Sequence, residues 1–218
     1  MALAIFDLDN TLLDGDSDYL WGQFLVRKGI VDGPSYTAEN RRFLEEYEAG
    51  RLDIQEFLRF QLRPLAENDP NTLAAWHAEY LHDDILPVIL KAGRARIAEH
   101  ARRGDTLMII TATNRFITGP IAVELGIPHL LATEVEFKDG RYTGHSTGTP
   151  CFREGKVERL QEWLVEHDAD LENSWFYSDS HNDLPLLSQV THPIAVDPDA
   201  TLRSHARQAG WEILSFRD

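Results

Sequence analysis

Two aspartates stand one residue apart where a short apolar run ends. The stretch AIFDLDNTLLDGD, residues 4–16, sets Asp7 and Asp9 around Leu8, with Asn10 and Thr11 next. Alternate side chains of an extended segment point the same way, so the two carboxylates converge. Converging acids repel unless a positive group lies between them or one keeps its proton. A hard divalent cation satisfies such a pair, and Mg2+ accepts few protein carboxylates together with waters and phosphate oxygens. The ordinary reading, a solvated strand end before a helix cap, suits a single Asp better than two.

A cation-binding strand end calls for more acids at a neighbouring one. SWFYSDSHNDLPLL, residues 174–187, supplies Asp179 directly after an apolar run, then Asn182 and Asp183. A third strand end, IITATNR at 109–115, offers Thr111, Thr113 and Asn114, whose hydroxyl and amide groups suit phosphoryl oxygens. GKVERL sets Lys156 at the start of a predicted helix, where the dipole disfavours a cation; a bound anion is one reason to find it there. Taken singly, Lys156 reads as a surface lysine and Thr111 as a strand terminus. The ordered set is the specific signal.

The elements that must position these residues follow from periodicity. Apolar runs at Ala2–Phe6, Thr106–Thr111, His129–Thr133, Ser174–Ser178, Pro193–Val196 and Trp211–Ser215 read as buried strands. Helical patterns lie between most of them, at Ile89–Arg103, Phe116–Leu125 and Glu154–His167. That alternation predicts an α/β fold with a Rossmann-like parallel sheet, whose strands end in ligand sites. Residues 16–87 break the rhythm and read as four helices, Tyr19–Arg27, Ser35–Tyr47, Ile54–Leu65 and Thr72–Leu81. An all-helical cap inserted after the first strand fits better than a separate N-terminal domain, which would strand Ala2–Phe6 outside its sheet. The core is then 1–15 with 88–218. Alternating residues around Asp139-Gly140 predict a small β-hairpin flap.

Composition limits the partners. The 218 residues are 43% hydrophobic and 26% charged, an ordinary globular balance. A formal net charge of −15 with no basic face excludes nucleic acid and an anionic membrane, yet permits a small phosphorylated metabolite beside a metal ion. No apolar run approaches the ~20 residues of a membrane span, and an N-terminal run that has no basic region and breaks at Asp7 argues against a signal peptide. Cys151 is the only cysteine, so no internal disulfide forms, which fits a cytoplasmic location. Cys151 reads as a non-catalytic thiol near the flap, and His181 as a residue at the rim. His77 and His82 lack the spacing of a helical zinc pair and read as surface residues. A monomer and a homodimer both remain open.

The chain resembles the haloacid dehalogenase superfamily, most closely its phosphoserine phosphatase-like branch. Asp7-Leu8-Asp9-Asn10-Thr11, Thr111, Lys156, and Asp179 with Asp183 match its four motifs in order. The resemblance implies an Mg2+-dependent phosphomonoester phosphatase with Asp7 as nucleophile and Asp9 as general acid and then base. It implies Mg2+ held by Asp7, Asp179 and the backbone carbonyl of Asp9, and phosphoryl oxygens held by Thr111 and Lys156. Asp183 would orient Lys156 or a metal-bound water, and Asn182 would bond the phosphoryl group or such a water. Asp9 separates this branch from relatives that need a lasting aspartyl-phosphate or that attack carbon halides. A phosphotransferase or mutase on the same fold would need an acceptor before releasing phosphate. A non-catalytic phosphate-binding module would not need Asp9.

The substrate is less legible. Phosphoserine phosphatases usually carry Ser-Gly-Gly-Phe where this chain has Thr111-Ala112-Thr113-Asn114. They hold the substrate amine with an acid placed like Asp16, and its carboxylate with a cap arginine. Here Gln61 falls at the arginine's position, with Arg59 and Arg63 to either side. Asp16 is equally well a helix N-cap. An acid without an opposing arginine suits an amino alcohol phosphate, with histidinol phosphate as the first candidate and phosphoserine as the alternative. Trp21 and Phe24 are the aromatics expected to pack on an imidazole.

Overall fold

The computed structural model describes residues 2–217. Its centre is one seven-stranded sheet in the order β4-β3-β2-β1-β5-β6-β7. The strands are β1 (Leu3–Phe6), β2 (Thr106–Asn114), β3 (His129–Lys138), β4 (Arg141–Thr147), β5 (Trp175–Ser178), β6 (His192–Val196) and β7 (Glu212–Leu214). All neighbours pair in parallel except β3 with β4. The alternation of β1 explains its central place. Ala4 and Phe6 join one apolar cluster with Ile109 and Tyr177, while Leu3 and Ile5 join the other with Met108 and Phe176. A strand buried on both faces reads as a continuous apolar run.

Helices α5 (Lys91–Arg103), α6 (Arg115–Glu124), α7 (Glu154–Glu166), the short α8 (Leu184–Leu187) and α9 (Ala200–Ala209) connect the strands. Helix α5 starts two residues later than predicted, because Ile89 forms an antiparallel bridge with Leu13. Strand β2 runs three residues beyond its predicted end through a register shift between Ile110 and Asn114. Strand β3 likewise continues into the hairpin. Asp139 and Gly140 both hold positive φ, 49° and 76°, the geometry of a tight two-residue hairpin turn.

Between β1 and α5 the chain forms the helical cap: α1 (Ser17–Arg27), α2 (Gly33–Glu48), α3 (Ile54–Glu67) and α4 (Pro70–Tyr80). Each opens on an aspartate whose side chain accepts a backbone N–H of the first turn: Asp16, Asp32, Asp53 and Asp69. Such caps are worth ~1 kcal/mol each. A π-helical turn at Leu81–Ile85 and a 3-10 turn at Leu86–Val88 lead back to the sheet. No helix among the described residues is long and apolar enough to cross a membrane.

Candidate active site

The carboxyl ends of β1, β2 and β5 meet under the cap. Asp7 leaves β1 with its backbone N–H bonded to the Tyr177 carbonyl at 2.9 Å, and the residue is 3% exposed. Asp7 Oδ1 accepts from Lys156 Nζ at 2.8 Å. Lys156 is itself 1% exposed and also meets both oxygens of Asp183, at 2.7 and 2.9 Å. The sequence left a bound anion as the reason for a lysine in the first turn of α7; in the structure two carboxylates already supply that charge. Gly155 brings the turn close enough, since a Cβ there would lie 2.1 Å from the Pro150 carbonyl oxygen. Burial would lower the Lys156 ammonium, but the charges of Asp183 and Asp7 together raise it. Burial pushes Asp7 up to about 7, helped by Asp183 and Asp9 and opposed by Lys156.

Thr11 joins the two strand ends. Its hydroxyl lies 3.3 Å from Asp7 Oδ2 and 3.2 Å from Asp179 Oδ1, and it accepts the Asp179 N–H at 3.1 Å. One hydroxyl proton cannot serve both carboxylates. Asp179 is raised well above the ordinary carboxylate range by burial and by Asp7 and Asp183. Thr11 was visible within the first motif but received no role from sequence.

Asp9 turns toward the cap. Its Oδ1 accepts the Ser17 N–H at 2.7 Å. Its Oδ2 accepts from Thr113 Oγ1 at 2.8 Å and lies 3.4 Å from Thr111 Oγ1. The bulged end of β2 therefore sets both threonines against the second aspartate. Asp7, Asp9, Asp16, Thr111, Thr113 and Gln61 all line one pocket. Its apolar side comes from the cap, through Phe43, Leu52 and Phe57. Asp16 is both things the sequence left open: an N-cap accepting the Tyr19 N–H at 2.7 Å and a wall of this pocket. Burial, then Asp9, push it up to about 7.

Some expected site residues fall elsewhere. Trp21 and Phe24 do not line the pocket; they stack on each other at 5.3 Å inside the core, with Tyr80 against them. Their apolar spacing on α1 serves helix packing. Asn114 is the N-cap of α6, accepting the Ile117 N–H at 3.2 Å. Asn182 is committed to the core–cap seam. It accepts from Arg153 Nε at 3.0 Å and donates to the Tyr47 carbonyl at 3.1 Å, while Arg153 Nη2 donates to the Gly50 carbonyl at 2.5 Å. His181 stands beside this seam, its Nδ1 2.7 Å from Asp199 Oδ2. His77 is buried rather than at the surface, its Nε2 2.9 Å from the Ile117 carbonyl oxygen; His82 is exposed. Cys151 is fully buried and burial pushes its thiol up to about 12, an inert state. Arg59 and Arg63 are exposed, and Arg63 faces Glu67 at 3.8 Å.

Sequence reasoning missed Asp18. It is 5% exposed and lines the same pocket. Burial, then Asp16 and Asp9, raise it well above the ordinary range. The alternation Asp14, Asp16, Asp18 was the available signal, obscured because the helix begins at Ser17.

A parallel sheet that collects paired acids, hydroxyls and a buried lysine at its carboxyl edge, roofed by a helical insert, defines a class of phosphohydrolases. Comparison with known proteins agrees. The family model for haloacid dehalogenase-like hydrolases matches residues 4–188, and the chain belongs to that family. A histidinol-phosphatase of Neisseria meningitidis serogroup C (strain 8013) is 45% identical over 219 residues, covering 99% of each chain. The phosphoserine phosphatase SerB1 of Mycobacterium tuberculosis (strain ATCC 25618 / H37Rv) is 32% identical, covering 99% of this chain and 71% of the relative. A Bordetella pertussis Tohama I protein of unknown function superposes with TM-score 0.93 at 44% identity, covering 99% and 98% of the two chains. A substrate-bound phosphoserine phosphatase shares the fold, with TM-score 0.73 at 19% identity over 100% and 94%. The protein is a phosphatase, a phosphoric monoester hydrolase of the haloacid dehalogenase type.

Proposed function

We propose that the protein hydrolyses the phosphomonoester of a small amino alcohol, with histidinol phosphate as its substrate. The carrying observation is the charge of the pocket: Asp9, Asp16 and Asp18 line it and no arginine or lysine does. A phosphoserine carboxylate would find acids and no cation there, whereas an amine with no carboxylate meets its complement. The 45% identical relative is named for histidinol phosphate.

The division of labour takes 1–15 and 88–218 as catalytic core and 16–87 as the cap. Asp7 attacks phosphorus, its new O–P bond forming as the ester P–O bond breaks. Asp9, held by the Ser17 N–H and Thr113, gives its proton to the departing oxygen. It then takes a proton from the water that cleaves the aspartyl-phosphate, which releases phosphate and restores Asp7. Thr111 and Lys156 hold the phosphoryl oxygens, where most stabilisation in such transfers arises, and Asp183 keeps Lys156 in place. Asn182 and Asn114 take no part.

Among the described residues no group of three or more His, Cys, Asp and Glu side chains is arranged to hold a metal ion. The Asp7–Asp179 pair nevertheless fits Mg2+. Two acid oxygens face one hydroxyl that cannot neutralise both, and the donors are all oxygen, the hard set Mg2+ takes in small number. Bound there with the Asp9 carbonyl, Mg2+ would neutralise charge on the phosphoryl group.

Phosphate release from histidinol phosphate and phosphoserine, each with Mg2+ and in excess chelator, tests the reading. The expected result is metal-dependent release with histidinol phosphate preferred. Preference for phosphoserine would defeat the substrate assignment, and full activity in chelator the metal.

A further inference from the structure

One buried acceptor in the pocket has no donor within the protein, and a second is only weakly served. Asp18 Oδ1 accepts from Asn114 Nδ2 at a long 3.4 Å. The Thr113 hydroxyl is near, but its single proton goes to Asp9 at 2.8 Å. Gln61, 2% exposed, has no partner for Oε1. Its orientation follows from a chain of contacts. Asn40 Nδ2 donates to the Tyr19 carbonyl at 3.0 Å, which leaves Asn40 Oδ1 as an acceptor for Gln61 Nε2 at 3.4 Å. The Gln61 amide therefore turns its oxygen away from Asn40, and Gln61 is one of the residues that line the pocket. Gly22 permits this arrangement, since a Cβ there would lie 2.4 Å from Asn40 Nδ2.

An orphaned buried acceptor costs its full desolvation and is kept where a ligand supplies the donor. Asp16 already has a short backbone N–H bond, from Tyr19 at 2.7 Å, and suits a substrate ammonium. Asp18 has only the long bond from Asn114, and Gln61 Oε1 has none. The apolar side of the pocket, Phe43, Leu52 and Phe57, offers a flat ring a surface to lie on.

We propose that Asp18 and Gln61 read a second N–H donor of the leaving group. The site then selects an amino alcohol phosphate whose ring carries an N–H over one whose ring is hydrocarbon. This rests on the amino alcohol reading above and adds the residues that set ring specificity. The strong upward push on Asp18 by burial and neighbouring acids is relieved when a donor-rich ring arrives.

The test compares kcat/KM for histidinol phosphate and for phenylalaninol phosphate, which has the same amine and a ring without N–H. The wild-type enzyme should favour the former by roughly 10- to 100-fold. Asp18→Leu and Gln61→Leu should each lower that ratio severalfold, and the pair together should bring it near one. The ratio is taken within one protein, so general losses from repacking cancel. If Asp18→Leu fails to fold by circular dichroism, Gln61→Leu alone decides. Equal rates on the two esters in the wild type overturn the second subsite and leave the amino alcohol reading standing. A ratio unchanged in the folded variants also overturns it. Release from an aryl phosphate but from neither ester sinks the subsite and the substrate reading together.

Discussion

The floor of the pocket and its cap-side wall treat acids in opposite ways. Beneath the floor, Asp7 and Asp183 share Lys156 at 2.7–2.9 Å, so a buried lysine is matched by two buried acids. On the wall, Asp9, Asp16 and Asp18 are held only by N–H and hydroxyl dipoles, and no lysine or arginine lines the pocket with them. A buried ion triad fixes geometry at little net gain in stability. An unmatched acidic wall does the reverse: it costs stability until a cation arrives. The floor is organised for a reaction common to many substrates, the wall for recognition of one kind.

The sharpest way to break this contrast is at the floor. Asp7→Asn should lower phosphate release at least ~10⁴-fold while the protein still melts cooperatively; near-wild-type turnover would remove Asp7 as nucleophile. Lys156→Met should cut kcat by ~10²–10³. It should also cost ~3–5 kcal/mol in urea unfolding, because Asp7 and Asp183 would be left buried without their cation. A loss below ~1 kcal/mol would mean the triad is not matched as described.

At the wall the effects are smaller and fall on recognition. Asp16→Asn removes the charge but keeps the cap, since Asn caps as well as Asp. The melting temperature should barely move at pH 5 and rise at pH 8, where the buried charge is gone, while kcat/KM for histidinol phosphate falls ~10- to 100-fold. Unchanged kinetics would reduce Asp16 to a helix cap.

The contrast also has a pH signature. Asp7 and Asp16 are both pushed up to about 7, chiefly by burial. The folded protein therefore binds more protons than the unfolded chain between about pH 4 and 7, and stability falls as pH rises through that window. Metal-free protein should melt at a higher temperature at pH 5 than at pH 8, with Mg2+ narrowing the difference. Below pH 4 the sign reverses for Asp197 and Asp199. Hydrogen bonds from the Phe216 N–H and the His181 N–H hold these two below the usual range against the upward pull of partial burial, so their contribution is lost as acid protonates them. A melting temperature that climbs steadily from pH 5 to 8 would contradict the raised pair.

The catalytic edge of the sheet was legible because its signals are local. An apolar run ending on an acid marks a strand end without knowledge of the partner strand, so the ends of β1 and β5 could be read directly, whereas β2, which ends on no acid, reads three residues short of Asn114. The wall was not, because it is tertiary. Asp32, Asp53 and Asp69 are exposed caps, indistinguishable in sequence from Asp16; only the approach of α1 to the end of β2 gives Asp16 a second role. Trp21 failed for the converse reason. Proximity along the chain to Asp16 suggested a pocket wall, but a helix sends residues five apart to different faces. The seam made by Arg153 and Asn182 joins segments far apart in sequence, and no periodicity announces it. Gln61 was found by alignment, yet its orientation depends on Asn40 and Gly22.

The Leu13–Ile89 bridge has an evolutionary consequence. It is flanked by hydrogen bonds from Asp14 N–H to the Val88 carbonyl and from Leu90 N–H to the Leu12 carbonyl. The outgoing and returning chain are thus zipped together before the helices begin. What lies beyond that junction is a closed excursion, and doubling its length costs only about 0.6 kcal/mol in closure entropy. Descendants can lengthen, trim or exchange the excursion without disturbing a register set on the sheet side of the junction. Substrate choice can therefore drift by grafting at one two-stranded neck, while the phosphate chemistry is inherited unchanged.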